Sequence, residues 1–181
     1  MPVRNFRTEG IIIKRRNIGE ADRILTLLTP FNGKIYVKAP GVRKITSRRS
    51  SHIEPFTHSL FTLYRGRATP IVTEVQCIEY FILLRENLTK IGSAYYFCEL
   101  IDGLCAQDQE QLSVFNLLKK SLSHLNMDGD IESIVHNFEI ELLIRLGFYK
   151  QSSETKNFNA SEFIEQLLER RLKTRRMYQF F

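Results

Sequence analysis

Apolar residues recur at every second position from Arg7 to about Glu79 and at every third or fourth position from about Glu86 onward. No single element type satisfies both periods, so the chain must build a sheet first and helices afterwards. In the first half, "TEGIIIKRRN" is a β-branched run that turns basic. "DRILTLLTP" places Ile24, Thr26 and Leu28 on one side and Leu25, Leu27 and Thr29 on the other. Both sides are partly apolar, which predicts a strand covered on two faces. "PFNGK" supplies Asn32-Gly33, a pair suited to positive φ in a tight hairpin, before the alternating "KIYVKA". "FTHSLFTLY", a "RGRATP" turn and "IVTEVQCI" complete five strands, with one long loop after the third. Five short strands in this span predict a small closed sheet, and the fold class is α+β.

The second half predicts helices. Ile91, Tyr95, Cys98, Asp102 and Cys105 share one stripe. A second helix is expected over Gln109–Leu125. A third follows a cap at Asp130 and ends at Gly147. "KQSSETKNFN" is a polar linker, and Asn159 with Glu162 forms a helix-start signal before "FIEQLLERRL". The division into domains is expected at 1–80 and 81–181.

Charge follows the same boundary. Residues 1–80 hold 14 Lys/Arg against 6 Asp/Glu, net +8, and residues 81–181 hold 12 against 14, net −2. The excess is confined to the strand half, which favours a polyanionic partner there. The candidate cations are Arg15, Arg16, Arg23, Lys34 and Lys38 on the strands, and Arg43, Lys44, Arg48 and Arg49 in the loop "GVRKITSRRSS". On a small barrel such positions can converge on one face and follow a phosphate backbone. The loop is expected to be mobile until DNA orders it. Phe31, Tyr36 and Tyr64 are candidates to stack on bases, whereas Phe56, Phe61 and Tyr80 read more simply as core. At the C-terminal end, "ERRLKTRRMYQFF" has two readings: the charged outer face of a last helix, or cations beside an apolar groove that suits an acidic peptide with a free carboxylate.

Enzyme motifs are missing. "HIEP" contains the H-x-E of zinc deaminases, but no two of Cys77, Cys98 and Cys105 are close enough for its P-C-x-x-C partner. His124 and His136 lie in different predicted helices without metal-ligand spacing, and His58 reads as a surface or packed imidazole. The cysteines read as buried reduced thiols. No apolar run approaches a membrane span, and "MPVRNFRTEG" is not a secretory leader, so a soluble cytoplasmic protein is expected.

"TEGIIIKRR", "GEADRILTLLT", "GK", "EPF", "LYRGR", "LRENL", "AYYFCEL", "FEIELLIRLGF" and "LKTRR", in this order, resemble the bacterial RecO family of recombination mediators. The resemblance implies an OB-fold barrel followed by an all-α helical domain, and no catalytic residues. It also implies binding to single- and double-stranded DNA, annealing of complementary strands, and work with RecR in loading RecA onto DNA coated by single-strand-binding protein (SSB). A cytoplasmic, nucleoid-associated place goes with that role. By position, DNA contact falls on Arg15, Arg16, Lys34, Arg43 and Lys44. Arg23, Lys38, Arg48 and Arg49 are added on charge alone. Many members carry a four-cysteine zinc-binding insertion where this chain has only "KQSSETKNFN", so the resemblance is to a short form with no metal or other cofactor. In some members a basic residue before the F-E pair holds the SSB C-terminal tail. Asn137 stands there in this chain, and Lys173, Arg175 and Arg176 are the substitute candidates. An adaptor that docks the SSB tail or RecR with little DNA binding is the alternative function, and a metal-dependent hydrolase or deaminase is the third.

Overall fold

The computed structural model describes residues 4–47, 49–65, 69–127, 129–150 and 158–174. Five strands come first: β1 (Asn5–Ile18), β2 (Asp22–Thr29), β3 (Gly33–Ala39), β4 (His58–Tyr64) and β5 (Ile71–Glu79). They close into a barrel in the order β1-β2-β3-β5-β4, which is the OB fold. All neighbours are antiparallel except β3 and β5, which pair in parallel at Lys38 and Ile71. Closure leaves no long strand edge exposed.

Register assigns each side chain to the interior or the outer face. Across β1, β2 and β3 the rows Ile12–Leu27–Ile35 and Arg15–Leu25–Val37 point one way, and the rows Lys14–Thr26–Tyr36 and Arg16–Ile24–Lys38 point the other. Ile12, Leu25, Leu27, Val37, Phe61, Leu63 and Val72 fill the interior. The two-sided cover expected for β2 is present, because Ile11 and Leu28 on the outer side are also fully buried.

The β2–β3 hairpin differs from the expected tight Asn-Gly turn. Pro30, Phe31 and Asn32 form a three-residue connection, and only Gly33 takes positive φ, at 61°. The Thr29 hydroxyl accepts from the Asn32 N–H at 3.2 Å and donates to the Gly33 carbonyl at 2.9 Å. β1 runs past Arg15 and Arg16 to Ile18.

The chain divides into two compact units. The first holds residues up to Tyr80 together with Ala106–Phe115. The second holds Phe81–Cys105 and the residues from Asn116 on. The segment 106–115, expected from the sequence in the helical half, therefore belongs with the barrel. Gln107 bridges Lys34, the Asp108 N–H donates to the Lys34 carbonyl at 3.1 Å, and the Gln111 N–H donates to the Pro30 carbonyl at 3.3 Å. Phe115 meets His58 edge-on with ring centroids 5.7 Å apart.

Four helices follow: α1 (Leu88–Leu104), α2 (Leu112–Asn126), α3 (Ile131–Arg145) and α4 (Ala160–Leu168). Asn87, Asp130 and Asn159 cap α1, α3 and α4 with side-chain oxygens. On α1 the fully buried face carries Tyr96, Phe97, Leu100 and Ile101. The expected stripe of Ile91, Tyr95 and Asp102 is only half-buried. Phe97 stacks on Phe138 with centroids 4.0 Å apart, and the Tyr96 hydroxyl donates to Glu139 at 2.5 Å. Cys98 and Cys105 are buried as expected, whereas Cys77 is half-buried; all three are thiols outside any disulfide. Burial pushes the Cys98 thiol up.

α4 stops at Leu168, where Glu169 takes a left-handed conformation, so the described residues 169–174 that follow are not the outer face of a helix. Glu99 instead holds this segment. Its carboxylate accepts from Arg170 at 2.7 Å, from the Lys173 and Thr174 N–H groups, and from the Thr174 hydroxyl. Partial burial raises its pKa, but these donors together outweigh that and hold it at about 2. Among the described residues, no helix is long and apolar enough to cross a membrane.

Candidate nucleic-acid interface

Strand register separates the candidate cations into groups with different environments. Arg16 and Lys38 share the outer row of β1, β2 and β3, and Lys14 and Tyr36 lie on the next outer row. Tyr36 and Lys38 are two residues apart on one strand, so their side chains leave the same face about 7 Å from one another. Arg43 and Lys44 are exposed at the start of the long loop beside this face. Arg43 Nη1 donates to the Gly19 carbonyl at 2.9 Å, and its N–H donates to the Ala21 carbonyl. Among the described residues Arg16, Arg43 and Lys44 make no ion pair within 4 Å, although Lys44 lies near enough to Asp22 to help hold its carboxyl low.

Lys38 is shared with an acid. Its ammonium lies 2.8 Å from Asp22, whose other oxygen accepts from the Gly41 N–H at 2.8 Å. Lys38 first and that N–H second hold the Asp22 carboxyl below the usual carboxylate range. Asp22 thus fixes the start of the loop and the direction of the Lys38 side chain together.

Arg15 and Arg23 are placed differently. They project on the interior side at the end of the barrel, and Glu54 pairs with both: with Arg15 closely, and with Arg23 at 3.4 Å. Arg23 also donates to Asn17 at 3.2 Å, and its side chain is only 17% exposed. One carboxylate therefore offsets much of their charge. Replacing Glu54 by glutamine is expected to raise affinity for single-stranded DNA about threefold at low salt, because two arginines are released toward phosphate. Equal or weaker binding in a titration of the variant would show that the triad is purely structural.

Burial and hydrogen bonding set two further candidates, Lys34 and Arg49, apart from the others. Lys34 falls on the outer row with Ile11 and Leu28, under the 106–115 segment, and is 7% exposed. A side chain so covered presents little charge to a phosphate. Arg49 donates from Nη1 to the Val72 carbonyl at 2.8 Å and from Nη2 to the Pro40 carbonyl at 2.9 Å. Its guanidinium links the middle of the loop to the loop's start at Pro40 and to β5 at Val72, and Val42 and Ile53 of the same stretch are buried. Between these contacts Arg43, Lys44, Ile45 and Thr46 are exposed. Arg48, Arg175 and Arg176 lie outside the described residues. Lys173 is exposed, and its N–H donates to Glu99 at 3.1 Å.

The aromatic candidates also separate. Phe56 and Phe61 are buried, and Tyr80 is half-buried. The Tyr64 hydroxyl accepts from Arg4 at 3.1 Å. Phe31 is 65% exposed and Tyr36 39%. Both line a cleft of about 520 Å³ with Phe6, Asn32, Ile35, Arg65, Thr69, Pro70, Gln107 and Asp108. Sequence reasoning missed Arg65, Gln107 and Asp108, since nothing in their local pattern marks them. Lys14 was missed as well, although its spacing from Arg16 was a usable signal.

The helical unit has its own groove, of about 290 Å³, between α2 and α3. Leu117, Ile134 and Phe138 give it apolar surface, Lys120 and Arg145 give it cationic groups, and His124 and Asn137 also line it. Arg145 pairs with Glu141 one turn earlier at 3.0 Å. His58 is packed rather than exposed, with Nε2 3.1 Å from Glu9.

Two family models match the chain: Recombination protein O N terminal over residues 1–81, and Recombination protein O C terminal over residues 85–155. The chain belongs to the RecO family. Proteins named DNA repair protein RecO resemble it across most of its length. The one from Roseiflexus sp. (strain RS-1) is 42% identical over 151 residues, covering 83% of this chain and 53% of the relative. Those from Pelotomaculum thermopropionicum and Dehalococcoides mccartyi (strain 195) are 38% and 37% identical, covering 79% and 84% of this chain and 56% and 60% of theirs. The chain thus spans a little over half the length of these RecO relatives. Both RecO matches fall on the elements described above, the first on the barrel and the second on the helices through α3.

Proposed function

We propose that this chain is a non-enzymatic DNA-binding recombination mediator. It binds single- and double-stranded DNA through the outer face of the barrel, anneals complementary strands and, with RecR, helps load RecA onto SSB-coated single strands. The observation that carries the reading is the row of Arg16 and Lys38 flanked by Arg43 and Lys44, exposed on one face, in a chain whose relatives are named for DNA repair. Cations on this face contact phosphates and leave base edges free, as annealing requires of a surface that screens two polyanions. Binding is then sequence-tolerant and governed by counterion release.

With four phosphate contacts, log K against log salt is expected to fall with a slope of about −3, at about −0.7 per contact on single strands. Titration of a labelled oligonucleotide across a salt series measures it, and a slope near zero would refute the DNA-binding reading.

The α2–α3 groove supports a partner role for the second unit. Apolar surface from Leu117, Ile134 and Phe138, edged by Lys120, His124 and Arg145, suits the acidic, hydrophobic C-terminal tail of SSB. Lys120 and Arg145 are proposed for this contact alongside Lys173, Arg175 and Arg176. Titration with a short acidic peptide separates this contribution from that of the barrel.

A further inference from the structure

The cleft beside Phe31 and Tyr36 is chemically unlike the cationic face next to it. Phe31 stands at the tip of the β2–β3 hairpin, where the Thr29 side chain fixes the turn, so its ring is held out to solvent by a formed structure. Opposite charges line the cleft: Arg65, whose guanidinium lies 5.2 Å from the centroid of the Phe6 ring, and Asp108. Asp108 is in the left-handed region, with φ 55°, and its N–H is tied to the Lys34 carbonyl. One cation and one carboxylate give no net positive charge, which makes this a poor seat for phosphate. Flat aromatic surface beside a carboxylate and the Gln107 amide suits a planar, apolar-faced group with N–H donors on its edge. The volume is that of a small-molecule site. Tyr36 lies two residues along β3 from Lys38, so a strand whose phosphate sits on Lys38 can place a neighbouring base here.

We propose that this cleft receives one unpaired nucleobase of the bound DNA strand, with Asp108 favouring a base that carries an exocyclic amino group. The proposal rests on the DNA-binding reading and gives it a preference for single strands, because a paired base cannot enter. The test uses the full chain and labelled strands of about nine nucleotides: oligo-dC, oligo-dT and an abasic strand of equal length and charge. The abasic strand is expected to bind at least about fivefold more weakly than oligo-dC, the span of one base stacked on an aromatic ring. Oligo-dC is expected to exceed oligo-dT about threefold, a preference that Asp108→Asn removes. Phe31→Ala should weaken oligo-dC about fivefold and leave the abasic strand and the melting temperature unchanged. Equal binding of all three strands with a salt slope of about −3 overturns the cleft and keeps the cationic face. A Phe31→Ala loss equal on oligo-dC and the abasic strand also overturns the cleft. Failure of every strand to bind at low salt overturns both.

Discussion

Replacing Arg16, Lys38, Arg43 and Lys44 together by alanine is expected to lower affinity for single-stranded DNA several-hundred-fold at 0.1 M salt. Each lost phosphate contact removes about 0.7 log unit relative to 1 M salt, and four remove about 2.8. The salt slope should flatten toward zero in the same variant. Three of the four make no ion pair among the described residues, and Lys38 leaves only the exposed end of an Asp22 contact, so the melting temperature should change little. Lys34 and Arg49 serve as internal controls. Arg49→Ala removes hydrogen bonds to two carbonyls and should cost stability more than affinity, since its charge already points at backbone oxygen. If the fourfold variant keeps wild-type affinity and slope, the outer row is ordinary solvated charge.

Gly33→Ala is expected to destabilise the barrel by about 3 kcal/mol, the sum of left-handed strain and forced displacement of a neighbour. An alanine Cβ at this position would lie 1.7 Å from the Gln109 carbonyl oxygen, a backbone atom that cannot turn aside. Gly19 gives the comparison. It has a similar φ of 55°, but an alanine methyl there would meet nothing within 4 Å, so Gly19→Ala should cost only the strain, about 1 kcal/mol. Chemical denaturation of the two variants separates the terms. Equal losses would show that the 106–115 segment yields easily. Because Gln107 and Asp108 sit on that segment, Gly33→Ala should also blunt any preference for a base over an abasic site.

The barrel was legible because a two-residue period with one apolar face dictates strand and register together. The α3 and α4 starts were legible because Asp130 and Asn159 bring their own cap chemistry. Charge alone told less. Arg15, Arg23 and Arg49 look as available as Arg43 in a linear reading, yet Glu54 and two carbonyls engage them. Glu54 itself enters the linear reading as part of an H-x-E metal motif and of the "EPF" piece, neither of which marks it as an arginine partner. Lys34 alternates correctly for an exposed position, and what buries it is a segment some seventy residues away. The cleft was invisible for the same reason: β1, the hairpin tip, the β4–β5 turn and residues 107–108 each contribute one or two groups. Chemistry assembled from four separated segments leaves no spacing to read.

The return of Ala106–Phe115 to the barrel bears on the order of folding. Strand closure pairs residues near in sequence, but the cover over Ile11, Leu28 and Lys34 cannot form until the chain has been made through α1 and beyond. A nascent barrel passes through an interval with that apolar surface bare, a stage at which such surfaces favour association with other chains. The same dependence applies to dissection: a fragment ending at residue 80 would repeat this immature state permanently, and one extended to residue 115 would carry the missing cover.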